Sequence, residues 1–290
     1  MKVLNFGSIN IDYVYRVPHL VRPGETLAAS QMDRLLGGKG ANQSVALARA
    51  GVVVKHAGAV GLTDQWALAE LKSTGVDTEH VAVIDSPSGH AIIQVDDQGE
   101  NAILLFGGAN QTHSPERIDK IISTMAPGDW LLLQNECNGN LQAIQAARKH
   151  GLKIAFNPAP MTPEVAEMPL HEIDLIFINE VEACDLSGQT CAEMAFCTLS
   201  ARHPDLVIVM TQGHKGATLT VDGEVTHLPA PEVKAVDSTG AGDTFVGYFL
   251  AGVIQGMSYK EALGRAISAS ALAVTRHGAS TSIPMASEVK

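Results

Sequence analysis

The sequence predicts an α/β fold: a doubly wound, mainly parallel sheet flanked by helices, with a small β-sheet lid. Three observations carry that expectation. The chain is 46% hydrophobic but only 4% aromatic, so small and branched aliphatic residues dominate its interior. That composition suits a parallel sheet between helices better than a β-sandwich. Short apolar runs alternate with amphipathic stretches along most of the 290 residues, the pattern of βα units in series. Two early segments, about 13–36 and 89–108, break this rhythm with short runs punctuated by Pro and Gly. They read as strands exposed on one face and form the expected lid of a single domain spanning residues 1–290.

The elements follow in order. "KVLNFG" is a short apolar run closed by glycine and reads as an edge-to-core strand. "YVYRV", a "VRPGET" turn and "LAASQMDRLL" supply the first lid segment. "LLGGKGANQSVALARAG" is a glycine turn running into an amphipathic helix. "KHAGAV" is a strand before the helical "DQWALAELKSTG". "GHAIIQVDDQGENAILLFGG" holds two runs around "DDQG", a hairpin signal. Next come "WLLLQN" and the helical "NLQAIQAARKHG", then "LKIAFN". "IDLIFINE" leads into "EVEACDLSG", "DLVIVMT" follows, and two helical stretches fill Gly242 to Arg276.

A formal net charge of −11 repels phosphodiester backbones and anionic lipid, so nucleic acid and membrane are excluded as expected partners. The N-terminus lacks the apolar core of a signal peptide, and no apolar run approaches the roughly 18 residues of a membrane span. The expectation is a soluble, cytoplasmic protein. Cys137, Cys184, Cys191 and Cys197 form no CxxC pair and read as buried reduced thiols rather than a zinc site.

Open α/β sheets bind ligands beyond the carboxyl ends of their strands, and the polar clusters of this chain fall there. "AVDSTGAGDTFVG" puts Gly240, Ala241 and Gly242 at a helix start, where free amides and the helix dipole attract an anion. It is not a nucleotide loop of the G-x-x-x-x-G-K type, because Asp243 stands where that loop has lysine. Asp243 in the first turn can take a proton from a hydroxyl attacking a phosphoryl group, or can simply cap the helix. In the first glycine turn, Gly37, Gly38 and Gly40 open the backbone, with Lys39 and Asn42 as donors. Asp12 and Glu136, just past strands, offer acceptors for a polyol, although each taken singly also suits a solvated loop. Asn179 and Glu182 lie three apart on a starting helix and could orient hydrated Mg²⁺, or serve as favourable helix-start residues. "MTQGHKG" (Met210 to Gly216) is a glycine turn able to pass nucleotide phosphate.

Taken together and in order, "GSINID", "PGET", "GGKGANQ", "GGAN", "NPAP", "NEVE", "DSTGAGDTF" and "RHGASTSIP" resemble the ribokinase-like carbohydrate kinase family. The resemblance runs along nearly the whole chain, and "DSTGAGDTF" is its most specific piece. It implies transfer of the ATP γ-phosphoryl group to the primary hydroxyl of D-ribose. Asp243 would be the base, and the amides of Gly240, Ala241 and Gly242 the anion hole. Asn10, Asp12, Gly38, Lys39, Asn42 and Glu136 would hold the sugar with Asp243. Asn179, Thr211, Gly213, Gly216 and Gly242 would face ATP, with Glu182 supporting Mg²⁺ indirectly. A potassium ion would sit among Asp237, Thr239, Ala273, Arg276, Gly278 and Ser282. The lid would also pair with a second subunit to give a homodimer.

Three features depart from the family pattern. "GLTDQWAL" lacks the last glycine of G-x-D-x-x-G, Ile267 stands near the expected adenine site, and "SIPMASEVK" comes earlier than the usual final helix. Kinases for another pentose, a deoxyribose or a nucleoside share these motifs, and a non-catalytic sugar-binding regulator is a remoter alternative. A dinucleotide-dependent oxidoreductase would need G-x-G-x-x-G after the first strand, which "FGSINID" does not supply.

Overall fold

The computed structural model describes residues 1–290. The chain opens with β1 (Val3–Phe6), β2 (Asn10–Arg16), β3 (Gln31–Gly37), α1 (Lys39–Arg49), β4 (Val54–Gly61), α2 (Gln65–Ser73) and β5 (Asp77–Ile84). It continues through β6 (Gly89–Val95), β7 (Asn101–Phe106), α3 (Pro115–Ile122), β8 (Trp130–Gln134), α4 (Asn140–Lys149) and β9 (Lys153–Asn157). It closes with β10 (Leu175–Asn179), α5 (Glu180–Ser187), α6 (Ala192–Arg202), β11 (Val207–Thr211), β12 (Ala217–Val221), β13 (Glu224–Leu228), α7 (Ala241–Ile254) and α8 (Tyr259–Ala273).

Nine strands form the main sheet in the order β5-β4-β1-β8-β9-β10-β11-β12-β13. All neighbours are parallel except the pairs β11–β12 and β12–β13. Because side chains alternate across a strand, each buried strand feeds two cores. Val3, Leu132, Phe177 and Val209 pack with residues of α1, α2, α7 and α8 on one face. Leu4, Leu133, Ile176 and Ile208 pack with α3, α4, α5 and α6 on the other. This is the doubly wound arrangement expected. β1, however, is no edge strand: it pairs with both β4 and β8 near the middle of the sheet.

The second sheet has the order β3-β2-β6-β7, with β2 and β6 parallel and the outer pairs antiparallel. Its strands start a little before the expected lid segments, at Asn10 in β2, and β3 runs on to Gly37. Only three residues separate β1 from β2, so the chain leaves the centre of the main sheet directly into the small one.

Helix ends follow local chemistry. Ser258 and Glu261 form a capping box at α8, Asn179 and Glu182 form another at α5, and Ser114 caps α3 ahead of a first-turn proline. No helix is long and apolar enough to cross a membrane. All four cysteines are free, but only Cys137 is buried, while Cys191 and Cys197 are exposed. The expectation of four buried thiols fails because Cys191 sits at the N-cap ahead of α6, Cys197 lies on that helix's solvent face, and Cys184 on α5 is only half-buried.

Candidate active site

Gly240 starts the site. It is the N-cap of α7 in the left-handed region, at φ 74°, a conformation that favours glycine. The turn leaves the amides of Gly240, Gly242 and Asp243 without an acceptor in the chain, while the Ala241 amide bonds to the Ser238 carbonyl at 3.2 Å. Ala241, expected among the anion donors, is thus turned partly back into its own loop. The free donors sit at the positive end of a 14-residue helix, where an anion is favoured.

Asp243 follows in the first turn and is 8% exposed. Its two oxygens are held by consecutive residues of α1: Asn42 Nδ2 donates to Oδ2 and Gln43 Nε2 to Oδ1, both at 2.9 Å. Burial raises its pKa above the ordinary carboxylate range, against the opposing effects of Lys39, Gln43 and Asn42. Both oxygens are thus taken by α1 side chains and not by the following amides that a helix-capping carboxylate would serve.

The other expected sugar-site residues gather round it. Glu136, just past β8, accepts from the Lys39 amide at 2.8 Å and from the Ser8 hydroxyl. Ser8 accepts in turn from the Gly40 amide at 3.1 Å, so Ser8 and Glu136 together anchor the start of α1. Asn110 locks the other side, donating to Asn10 Oδ1 at 2.7 Å and accepting from the Ile9 amide at 3.0 Å. Asp12 on β2 has its pKa raised to about 7, first by burial and then by the charges of Glu136 and Asp243, with Lys39 opposing. Burial works against the Lys39 charge, yet the surrounding Asp243, Glu136, Glu182 and Asp12 push its pKa up. Asn10, Asp12, Gly38, Lys39, Asn42, Glu136 and Asp243 thus form one cluster, with a single ammonium among several acids.

Beside it lies a cavity of about 770 Å³ lined by Thr211, Gly213, Gly216, Gly242, Phe245 and Ile267 among others. Four of the five residues expected to face a nucleotide are in that lining. Gly216, at φ 105°, has no room for a side chain because a Cβ would run into the Leu228 carbonyl. Ile267 borders the cavity as expected. Asn179 does not line it: its side chain accepts from the Glu182 amide while Glu182 Oε2 accepts from the Asn179 amide, both at 2.9 Å. Half of Glu182's carboxylate is therefore committed to a capping box, and its Oε1 has no partner in the chain.

On the far side of the α7 turn, Asp237 accepts from the Thr239 and Gly278 amides, each at 2.9 Å. These bonds tie the 237–239 turn to the 276–282 segment that holds Arg276, Gly278 and Ser282. The Arg276 guanidinium is turned away to Glu288 at 2.6 Å. No group of three or more His, Cys, Asp or Glu side chains is placed to hold a metal ion. The donors on offer are the Asp237 carboxylate and backbone carbonyls, an oxygen-only set that fits a hard cation rather than a transition metal.

Gln43, Ser8, Asn110 and Gln134 were not singled out from the sequence. Gln134 carried a signal, being a lone amide at the end of the buried run "WLLLQ", since a buried amide must find partners.

The profile of the pfkB family carbohydrate kinases matches residues 1–286. The chain is 37% identical over 294 residues to the ribokinase of Haemophilus influenzae, covering 97% of this chain and 95% of that one. It is 33% identical over 296 residues to the deoxyribokinase of Salmonella typhi, covering 98% and 96%. A solved structure of Arabidopsis thaliana ribokinase complexed with ribose and ATP superposes with a TM-score of 0.86 at 29% identity, covering 99% of this chain and 96% of the other.

Proposed function

This chain belongs to the pfkB family of carbohydrate kinases, and we propose that it phosphorylates the primary hydroxyl of D-ribose with ATP, giving D-ribose 5-phosphate. One observation carries the reading. The first turn of α7 faces two ways: Gly242 lines the large cavity, while the next residue, Asp243, joins the acid and amide cluster. A phosphoryl group arriving from the cavity would meet the free amides of Gly240, Gly242 and Asp243. A hydroxyl held in the cluster would meet the Asp243 carboxylate.

In this reading Asp12, Glu136 and the unpartnered Asn42 Oδ1 accept from sugar hydroxyls while Lys39 and Asn10 Nδ2 donate. Asp243 takes the proton of the attacking hydroxyl as its oxygen bonds to the γ-phosphorus and the β–γ bridge breaks. The departing charge stays on ADP. The developing charge on the moving group falls on amides already aimed at it, so little reorganisation is needed. The small sheet acts as a lid carrying Asp12 over the sugar. Glu182 Oε1 is free to support the hydration shell of a nucleotide-bound Mg²⁺, which would neutralise phosphate charge. Asp237 and the carbonyls of Thr239, Ala273, Arg276, Gly278 and Ser282 would seat K⁺ and so order the turn behind the amides. Equal rates in sodium and potassium buffers would remove the potassium site.

Nucleotide consumption measured with ribose, deoxyribose, fructose, tagatose and adenosine tests the substrate. Preference for ribose is expected; preference for deoxyribose would move the assignment to the deoxyribokinase branch, and no turnover with any of the five would overturn it. Asp243→Asn should retain ribose binding and lose turnover by about 100-fold or more. A variant with near-normal kcat would remove Asp243 from the mechanism.

A further inference from the structure

We propose that Gln43 is a positioning residue for Asp243, its amide held in one orientation by a buried relay of side chains running back to His56. The inference rests on the kinase reading above and names a residue that reading does not use. Gln43 is fully buried, as are Asn5, Ser44 and His56, and Gln134 is nearly so. Polar groups in such a place are costly unless bonded. Here they bond to each other in a chain that ends on the carboxylate, with only Gln134 Oε1 left without a partner.

The direction of every bond in that chain is fixed. His56 Nε2 lies 3.1 Å from the Gly7 carbonyl, which can only accept, so Nε2 carries a proton. Burial lowers the His56 pKa to about 4, so at neutral pH Nδ1 is bare. Ser44 Oγ, 2.8 Å away, must then donate to it. Its oxygen accepts from Asn5 Nδ2 at 2.8 Å, and Asn5 Oδ1 accepts from Gln134 Nε2 at 3.0 Å. Gln134 gives its other proton to Gln43 Oε1 at 2.7 Å. With its oxygen claimed, Gln43 must present its NH₂ group to Asp243 Oδ1 and to Asn157 Oδ1, at 2.9 and 3.2 Å. An amide without that anchor could turn its oxygen toward the carboxylate, at a cost set by the carboxylate alone. The relay forbids that and leaves a donor permanently on the ionised form of the base.

The charged groups facing Asp243 are Lys39 from α1, Glu136 after β8, and Asp12 from β2. None of them hydrogen-bonds to Gln43, so a change at Gln43 acts on Asp243 without removing their contacts. A hydrogen bond to the charged form lowers a carboxylate's pKa, and its loss raises it. The acid limb of the kcat profile, where Asp243 must be ionised, should then move to higher pH.

The test uses the full chain with a sugar that the wild type phosphorylates. Gln43→Met keeps the volume without the donor and should lower kcat by about 10-fold on the acid side of the profile, the loss of ionised base that a one-unit shift produces. KM for sugar and ATP should stay within about 2-fold, because Gln43 touches neither ligand. The acid limb should rise by about one pH unit. Gln43→Glu, which keeps the bond from Gln134 but sets a second acid beside Asp243, should move the limb further still. Gln134→Met, releasing the Gln43 amide, should shift it the same way by less. Thermal melts separate folding from positioning, and where Gln43→Met does not fold, the Gln43→Glu profile decides. An unmoved acid limb in the folded variants, or a loss of activity carried by KM, overturns the positioning role while leaving the kinase reading intact. A wild type without sugar kinase activity removes both.

Discussion

Asp12 on β2 is a carboxyl whose ordinary pKa of 3.8 is lifted to about 7 by burial and by the neighbouring acids Glu136 and Asp243. The sign of its effect on the fold follows from the shift. A carboxyl with a raised folded pKa prefers its proton in the folded state, so ionising it destabilises the fold. The cost begins near pH 4, grows to about pH 7 and is fully present above that. Asp12→Asn should therefore raise the melting temperature by a few degrees at pH 8 and by less at pH 5, while weakening sugar binding. A melting temperature unchanged at pH 8 would contradict the shift. If sugar hydroxyls donate to this carboxylate, binding draws on its ionised form. About half a proton should then leave per sugar bound at pH 7, and sugar affinity should improve from pH 6 to pH 8. Titration calorimetry in buffers of different ionisation enthalpy reads that proton directly, and a buffer-independent heat would rule it out. Gly37 takes part in this arrangement, since any side chain there would run into the Asp12 carboxylate.

Helices α1 and α7 carry the two halves of the site, and their separation is set by Gly247. A Cβ at that position would collide with the Ala46 side chain and come within 3.0 Å of the Leu47 backbone nitrogen. Asn42 and Gln43 lie one turn before that crossing on α1, and Asp243 one turn before it on α7. Gly247→Ala should push the helices apart, with overpacking costing about 1–3 kcal/mol, and should lower kcat more than stability alone explains by lengthening the bonds to Asp243. Urea unfolding and steady-state kinetics on the same preparation check both, and normal kcat in a destabilised variant would separate the crossing from the chemistry. The residues that hold this crossing mark the limit of what the sequence makes legible. The α1 and α7 glycine turns could be read locally, because turn residues, helix spacing and first-turn acids are neighbours in the chain. Gln43 meeting Asp243, or Asn110 meeting Asn10, joins residues 200 and 100 positions apart, and no local pattern encodes that. The β12–β13 hairpin was missed for another reason. Its "VDGE" turn, with Asp222 and Gly223 both at positive φ, is a strong hairpin signal, but it lies between "ATLTV" and "EVTHL", whose Thr, Glu and His interrupt the apolar run. β5, half-exposed at the sheet edge, lacks the continuous apolar run that betrayed the inner strands.

At the scale of the whole molecule, the main sheet buries its apolar residues in two cores, whereas the small sheet does not finish the task. Cross-strand partners share a face, so Asp12, Ala91 and Leu105 look toward the polar cluster. Tyr13, Ile92 and Leu104 look the other way; at the β2 end of that face Tyr13 packs against the main core, and the row of rings Tyr13, His90 and Phe106 leads out to the exposed β7 edge. Leu104 is 67% exposed and Phe106 51%, on a four-stranded sheet with a free edge at β7. An apolar outer face rimmed by an open edge is the kind of surface that a second copy covers by matching it with its own. We propose a homodimer built lid to lid on this surface, and it predicts a coupling between assembly and catalysis, because in the proposed reading the same strands carry Asp12 over the sugar. Leu104→Glu places a charge on the outer face without touching the cluster. It should convert the proposed dimer to monomer in light scattering at micromolar concentration and raise KM for sugar, while leaving KM for ATP near its wild-type value because the cavity proposed for the nucleotide is lined from β11 onward. A dimer that survives the charge would place the interface elsewhere. A monomer with unchanged sugar KM would show that each lid closes on its own.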